Sequence, residues 1–295
     1  MNKIWLLAGT AAVIGMASCK EVGPAINFGG GAKAVDTTYT AEAEKPQSRV
    51  VLVEEFTGCS CPPCPSGHLI IYGPGGIKEQ HPDQVAVIAY HIFNFPQAEP
   101  VHGHAKFDFR TQDATDVGAH IFGGIGSLPN GGIDRKKNTA ANNVLLFEKP
   151  LWSQAVNGDV SVKPAANLVV TSSYDAATRN AVVKVHIAYT QDVAKKQSLT
   201  LALVESNIID AQKTDVAIID TYTHRSVLRD IVTQYYGDAL LDSIATKKAG
   251  RVYERTFSFA VNKDWNADNC ALVAFISNNE ADDKEVVQAA EVNLK

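Results

Sequence analysis

Residues 54–65 read EEFTGCSCPPCP, and this stretch decides which fold the chain is predicted to adopt. The apolar run VVLV at residues 50–53 predicts a buried strand that leads directly into a Cys-x-x-Cys pair, Cys61 and Cys64. Two cysteines at this spacing can close a small disulfide when the first stands where a helix begins and the second lies one turn along. The two intervening prolines suit a first helical turn, whose N–H groups lack helical partners. The stretch therefore predicts a redox dithiol at the start of a helix.

The two cysteines of the pair are expected to differ in reactivity. The positive end of the helix dipole favours a thiolate at Cys61, which makes Cys61 the attacking thiol and Cys64 the resolving thiol. A zinc site is the alternative, because half of such a site has the same spacing. It normally needs a second Cys or His pair, whereas Cys270 stands alone far along the chain.

Around this motif the chain resembles the thioredoxin superfamily, particularly the extracytoplasmic thiol reductants that carry a Cys-Pro-Pro-Cys site. The resemblance implies that Glu55, six residues before Cys61, is a buried acid beneath the dithiol. Burial would raise the pKa of such a carboxyl and let it take the proton of Cys64. Two positions depart from the superfamily. Ser60 stands where many thioredoxins have tryptophan, and Cys59 adds a third thiol; we treat both as positions that could orient a substrate.

The superfamily resemblance also implies a cis-proline loop that faces the dithiol. Pro129, in the stretch SLPNGGIDR at residues 127–135, is the candidate. A cis bond would leave the backbone of Leu128 free to pair with an extended substrate strand. An ordinary trans turn before a glycine pair is the alternative.

The N-terminus predicts a bacterial lipoprotein signal over residues 1–18. Lys3 is followed by a short uncharged stretch at residues 4–16 and then by the small residues that precede Cys19. Cys19 is the predicted lipidated residue, and simple secretion with an incidental cysteine is the alternative. Residues 19–47, rich in Gly, Ala, Thr and Glu, are predicted to form a flexible tether between lipid and protein.

Two domains are predicted after the tether. Residues 48–158 are expected to form an α/β thioredoxin-like domain, with strands at residues 50–53 and 85–92, a helix around residues 106–121 and a closing helix at residues 144–156. Residues 159–295 are expected to form a mainly antiparallel β-sandwich, because several segments alternate apolar and polar residues. We interpret residues 222–236 as a helix-bearing excursion that covers one end of the sandwich; the alternative is that it meets the dithiol face and helps to select partners.

The composition limits the classes of partner. A formal net charge of −5 offers no electrostatic footprint for nucleic acid, and 45% hydrophobic residues favour a globular protein. No segment after residue 18 is long and apolar enough to predict a membrane-spanning helix.

The thiol stretch, Pro129 with the following Asp134-Arg135, and VVQA at residues 286–289 together resemble the Omp28-related outer-membrane lipoproteins of Bacteroidetes. The resemblance covers nearly all of the chain after residue 18, and the thiol stretch is its most specific part. It implies an anchor in the outer membrane, at the periplasmic face or the cell surface, and says little about a substrate.

These observations favour an envelope thiol-disulfide oxidoreductase of the reductase or isomerase type. It would need no cofactor, and its partners would be protein thiols and disulfides. Cys59 could pair with Cys270, stay free or act as a third redox thiol. The oligomeric state stays open.

Two alternatives from other classes remain. The first is a non-enzymatic surface-binding lipoprotein in which the disulfide is structural, as most extracytoplasmic disulfides are. The second is a copper- or zinc-binding lipoprotein, in which Cys59, Cys61 and Cys64 join one of the six histidines between His68 and His120.

Overall fold

The computed structural model describes residues 33–139 and 144–295. The strands are β1 Lys33–Thr40, β2 Val51–Phe56, β3 Val85–Tyr90, β4 Asn130–Ile133, β5 Leu146–Phe147, β6 Ala166–Asp175, β7 Asn180–Tyr189, β8 Gln197–Glu205, β9 Ile208–Lys213, β10 Ile218–His224, β11 Val227–Ile231, β12 Asp238–Leu240, β13 Arg251–Ala260, β14 Cys270–Asn278 and β15 Val286–Asn293. The helices are α1 Cys64–Tyr72, α2 Ile77–Gln80, α3 Gln112–Asp116 and α4 Trp152–Asp159, and α3 continues into one π-helical turn.

A nine-stranded sheet is the largest element of the described chain. Its strand order is β15-β14-β8-β11-β3-β2-β4-β5, and β12 also pairs with β8. Strand β3 lies parallel to both β2 and β11, whereas the other neighbours are antiparallel. Strands from both sides of the domain boundary predicted at residue 158 therefore belong to one hydrogen-bonded sheet, because β11 lies directly against β3.

The antiparallel, β-rich second half that the sequence predicts is confirmed. A four-stranded antiparallel sheet, in the order β1-β13-β7-β6, packs over strands β8 and β14 of the large sheet. Along β7 the apolar residues Val183, Val185 and Ile187 are buried and alternate with exposed or half-buried polar ones, as expected for a strand with one face in a core. Packing of this kind is compatible with a β-sandwich.

Strands β2 and β3 are buried on both faces, which explains why their sequences are almost continuously apolar. One face packs against α1, α2 and α4, where Trp152 is completely buried. The other face packs against α3 and strands of the second half, including Phe275 of β14. The order β2-α1-α2-β3, with β2 parallel to β3, matches the predicted β-α-β unit.

Two buried ion pairs lie in the first half of the chain, and the arginine of one of them also hydrogen-bonds the last strand. Both nitrogens of the Arg135 guanidinium fork bind Glu54 of β2, at 2.9 and 2.8 Å. Arg49 binds Asp134 at 2.6 Å and also donates to the carbonyl oxygens of Val286 and Val287. All four charged side chains are buried, so these pairs lie inside the protein and not at its surface.

Three predicted elements need correction. The tether prediction is wrong for residues 33–40, which form β1 against β13. Backbone hydrogen bonds hold this edge strand. Because the side chains of residues 34–40 are exposed, no burial pattern in the sequence marks it. The helix predicted at residues 222–236 is wrong, because β10 and β11 occupy it; a bulge between Leu228 and Asp230 gives β11 a helix-like spacing of buried residues. The closing helix begins at Trp152 and not at residue 144, since Pro150 lies in the turn before it.

The predicted signal at residues 1–18, Cys19 and the first part of the tether lie outside the described residues. Within the described ranges, 33–139 and 144–295, no helix has the length and apolar character that crossing a membrane would require.

Candidate functional site

The Cys-x-x-Cys pair is a disulfide. The sulfur atoms of Cys61 and Cys64 are 2.05 Å apart, and the Cys64 N–H donates to the Cys61 carbonyl oxygen at 3.2 Å. Helix α1 begins at Cys64, so the pair closes the turn that leads into the helix, and Cys61 precedes the first helical residue. Each cysteine is only 1% exposed. The disulfide therefore lies beneath the protein surface.

Glu55 lies in the pocket that Cys64 also lines. Its side chain is buried, and among the described residues nothing hydrogen-bonds its Oε1 atom. A Cβ atom built on Gly67 of α1 would stand 3.2 Å from that oxygen, so the carboxyl is directly beneath the thiol helix. Burial raises the pKa of Glu55 to about 8. The carboxyl is therefore mostly protonated at neutral pH.

The predicted cis peptide bond between Leu128 and Pro129 is present. Pro129 faces the thiol helix, because a Cβ atom on Gly67 would lie 3.2 Å from its Cβ. Leu128 is half-buried against the core that covers one face of β2 and β3. Glu55, Pro129 and α1 thus meet at one place, whereas the roles predicted for Pro129 and Leu128 stay predictions.

Strand β9 from the second half of the chain covers the disulfide turn. The Gln212 side-chain amide donates to the carbonyl oxygens of Gly58 and Cys61, both at 3.1 Å. The Lys213 N–H donates to the carbonyl oxygen of Cys59 at 2.8 Å. On another side, the N–H of half-buried Ser60 donates to the Gln97 carbonyl at 3.0 Å. The turn is held by backbone contacts with two other segments, and its sulfurs have little access to solvent.

The pocket beside the disulfide is lined mainly by polar and aromatic side chains. Its lining consists of Glu55, Thr57, Cys64, Pro65, His68, Ala89, His91, Gln212, Tyr222, His224, Arg225 and Val227. The His68 ring lies 4.7 Å from that of Tyr72 and 5.7 Å from that of Tyr222. Burial and the nearby Arg225 lower the pKa of His68 to about 4, so this ring is neutral at neutral pH.

A cluster of three chemically active side chains includes two residues of this pocket lining, His91 and His224, together with Cys59. One donor atom each of Cys59, His91 and His224 lies within 4.8 Å of the other two, and all three residues are buried. Burial raises the pKa of Cys59 to about 12 and lowers those of His91 to about 3 and His224 to about 4. All three are therefore uncharged at neutral pH when nothing is bound.

Several predicted partners of the cysteines are not brought together. Within residues 33–139 and 144–295, Cys59 and Cys270 make no disulfide and lie in different apolar clusters, so of the three states left open for Cys59 the pair with Cys270 is absent and the thiol is free.

The metal-ligand set predicted from the sequence is not assembled among the described residues, because Cys61 and Cys64 are bonded to each other, and of the predicted ligands Cys59 and His91 are the two in the cluster. His104, another of the six histidines, pairs with the exposed Asp220 at 2.7 Å.

Sequence reasoning missed Gln212 as a site residue, since it stands in no motif. Of the two interpretations of the segment that holds His224, the position beside the dithiol is the one that the structure contains, because His224 lines the same pocket as Cys64.

Fold and site together define a mainly β protein with a buried Cys-x-x-Cys disulfide on a β-α-β unit. Residues 121–295 match the family profile of the outer membrane protein Omp28, and the chain belongs to this family. The match includes Pro129 and strands β4 to β15 but neither the disulfide turn nor strands β1 to β3. The family points to the outer membrane as the location. No curated protein matches the sequence of the chain.

Proposed function

We propose that this protein is a thiol-disulfide oxidoreductase of the cell envelope that works through Cys61 and Cys64. The observation that carries the proposal is the disulfide, with a buried carboxyl, Glu55, in the same pocket as Cys64. The cis peptide bond at Pro129 and the position of the pair before a helix, after a parallel strand, support a thioredoxin-like arrangement of this part of the chain.

The proposed reaction begins from the reduced dithiol. The Cys61 thiolate attacks one sulfur of a partner's disulfide, that bond breaks, and a mixed disulfide forms while the partner's other sulfur leaves as a thiolate. Cys64 then loses its proton and attacks the Cys61 sulfur. The mixed disulfide breaks, the Cys61–Cys64 bond forms, and the partner leaves with both of its sulfurs reduced. Two electrons pass to the partner, and a dithiol of the envelope must return them.

Glu55 is proposed to accept the proton of Cys64 in the resolving step. A pKa of about 8 places this carboxyl within a unit or so of neutral pH, where it can both take up and release a proton. Without a hydrogen-bond partner on Oε1 among the described residues, that oxygen stays available. Leu128, Pro129 and Ser60 are proposed to orient the partner's chain beside Cys61.

Access to Cys61 requires strand β9 to move. Gln212 and Lys213 hydrogen-bond the disulfide turn, and the cysteine is 1% exposed. Strands β9 and β10 pair with each other in a separate two-stranded sheet. This hairpin can therefore swing without breaking the nine-stranded sheet. We propose that partner binding displaces this hairpin.

The same burial favours a second candidate function. A disulfide that no partner reaches is structural, and the protein would then be a non-enzymatic binding protein of the outer membrane. In either case we propose anchoring through lipid on Cys19, at the periplasmic face or the cell surface.

Thiol trapping across a graded glutathione series tests the proposal. The oxidoreductase is expected to show one reversible two-electron transition at a potential within the range of known exchange proteins. A Cys64→Ser variant is expected to retain mixed disulfides with envelope proteins, whereas the control Cys270→Ser retains none. A Cys61–Cys64 bond that withstands every glutathione ratio, with no captured partner, would establish the structural alternative.

A further inference from the structure

We propose that Cys59, His91 and His224 form a binding site for one soft d10 metal ion, Cu(I) or Zn(II). The donor atoms of the three side chains lie within 4.8 Å of one another, a separation that small shifts can close around one ion. Thiolate and imidazole are the donors that both ions prefer. The site is separate from the Cys61–Cys64 disulfide and does not depend on the proposed redox function.

Both histidines present a free ring nitrogen. Among residues 33–139 and 144–295, no group hydrogen-bonds Nδ1 of His91 or Nε2 of His224, although both rings are at least 95% buried. Buried polar atoms are rarely left without partners, because each one costs free energy to remove from water. Two such atoms beside a buried thiol are the arrangement that a bound metal ion would satisfy.

The rings are oriented as metal ligands usually are. The His91 ring has a hydrogen bond with the backbone of Ala89, and the His224 ring has hydrogen bonds with the backbone of Asp210 and Ala211. A ligating histidine typically donates its second N–H to a carbonyl, which fixes the ring and leaves the other nitrogen for the metal.

Two of the three donors stand just after strands of the large sheet, and the third stands on the hairpin of β9 and β10. Cys59 and His91 follow the parallel strands β2 and β3, whose carboxyl ends meet at the same edge of the sheet. His224 is the last residue of β10 and approaches from the hairpin side. The Cys59 carbonyl accepts the Lys213 N–H at 2.8 Å, which fixes the cysteine against the same hairpin.

The surroundings combine apolar and aromatic side chains with two charged residues of opposite sign, Asp210 near Cys59 and His224, and Arg229 near both histidines. The Phe109 ring lies 5.3 Å from the ring of His91 and 4.8 Å from that of His224, and Val101 and Ala211 belong to the same cluster as Cys59. Cu(I) bound by one thiolate and two imidazoles is neutral and needs no fourth ligand. Zn(II) would carry a net positive charge and would require a fourth ligand, since its sites are tetrahedral. A set of three ligands therefore favours Cu(I) over Zn(II).

Metal titration of the full chain, with the disulfide oxidised, tests the site. Under anaerobic conditions the chain competes with bicinchoninate for Cu(I), and in a separate series it competes with a chromogenic chelator for Zn(II). We expect one equivalent of metal per chain and an X-ray absorption spectrum with one sulfur and two nitrogen neighbours. Cys59→Ser and His224→Gln are each expected to weaken binding by about 100-fold or more, beyond what outer-shell changes cause.

Cys270→Ser is the matched control, because Cys270 is the other buried free cysteine and lies in a different cluster. It should bind metal like the unchanged chain, and added metal should raise the melting temperature of both but not of Cys59→Ser. If Cys59→Ser does not fold, the absorption spectrum of the unchanged chain still decides the question. Failure to retain either metal against the chelators, or a spectrum without sulfur, would overturn the proposal.

Discussion

The side-chain amide of Gln212 donates a 3.1 Å hydrogen bond to the carbonyl oxygen of Cys61, although the two residues lie 151 positions apart in the chain. The same amide binds the carbonyl oxygen of Gly58 and that of its neighbour Lys213. One buried side chain thus joins strand β9 to the turn that closes the disulfide. If opening of the hairpin is needed to reach the sulfurs, this contact must break first.

Replacing Gln212 by leucine should make the disulfide easier to reduce. The variant leaves buried carbonyl oxygens without a donor, which costs about 1–3 kcal/mol and favours opening of the hairpin. If opening of the hairpin limits attack on the disulfide, the rate of reduction by dithiothreitol should rise about tenfold for each 1.4 kcal/mol by which the substitution lowers the free energy of opening. Gln80→Leu is the control, because Gln80 also donates to a backbone carbonyl but is exposed. Equal reduction rates for the two variants would show that β9 does not limit access.

Glu55→Gln should stabilise the protein at high pH and not at low pH. The folded-state pKa of Glu55 is raised to about 8 from 4.5, so between these values the folded state holds a proton that the unfolded state releases. Stability therefore falls as pH rises through this window, by about 1.4 kcal/mol per pH unit, and glutamine removes the loss. Urea unfolding of both proteins from pH 4 to pH 9 measures the difference. A stability difference that is the same at every pH would contradict the assigned burial of the carboxyl.

Arg135→Met should be strongly destabilising. Glu54, which is completely buried, would lose both guanidinium hydrogen bonds and keep only the Tyr90 hydroxyl at 2.9 Å. Breaking one side of a buried ion pair costs about 3–5 kcal/mol, because the remaining charge stays uncompensated. Adding Glu54→Leu to this variant should recover part of the loss, and equilibrium unfolding of the single and double variants measures it. The exposed pair Lys248–Asp192 is the control, and Lys248→Met should change stability little. Strict additivity of the two buried substitutions would argue against a coupled pair.

Gly131→Ala should disturb the packing of β4 on α4. A Cβ atom on Gly131 would stand 2.7 Å from Cε2 of Trp152, a side chain that is itself fully buried. Overpacking of this kind costs about 1–3 kcal/mol, measured as a lower midpoint of thermal or urea unfolding. Gly126→Ala meets no atom within 4 Å and should be close to neutral. A neutral Gly131→Ala would mean that Trp152 can shift within its cluster at little cost.

The elements that were predicted correctly are those whose own sequence carries the signal. The apolar runs of β2 and β3, the alternation in β7 and the cysteine spacing each follow from the residues themselves, and the structure contains all of them. The exposed strand β1 has no burial signal, because its ladder with β13 and the ion pair between Asp36 and Arg255 hold it without a buried face. The bulge in β11 imitates a helix in the spacing of its buried residues.

The candidate metal site was predictable only in part. Cys59 and the group of histidines that includes His91 are visible as possible ligands in the sequence. His224 joins them only because β10 returns to the disulfide turn, and no spacing rule connects residues so far apart in the chain. Gln212 was equally hidden, since its role depends on which carbonyl oxygens the fold places beside it.

Strand β11 lies between β3 and β8, with Val227 paired to Ala89. Synthesis proceeds from the N-terminus, so β3 has an open edge until residues 227–231 have emerged and reached it. An open parallel edge invites pairing with other chains, and contacts so distant in sequence form slowly. The protein therefore has a period of vulnerability to aggregation during its biogenesis, which ends only when the strand that closes the sheet arrives.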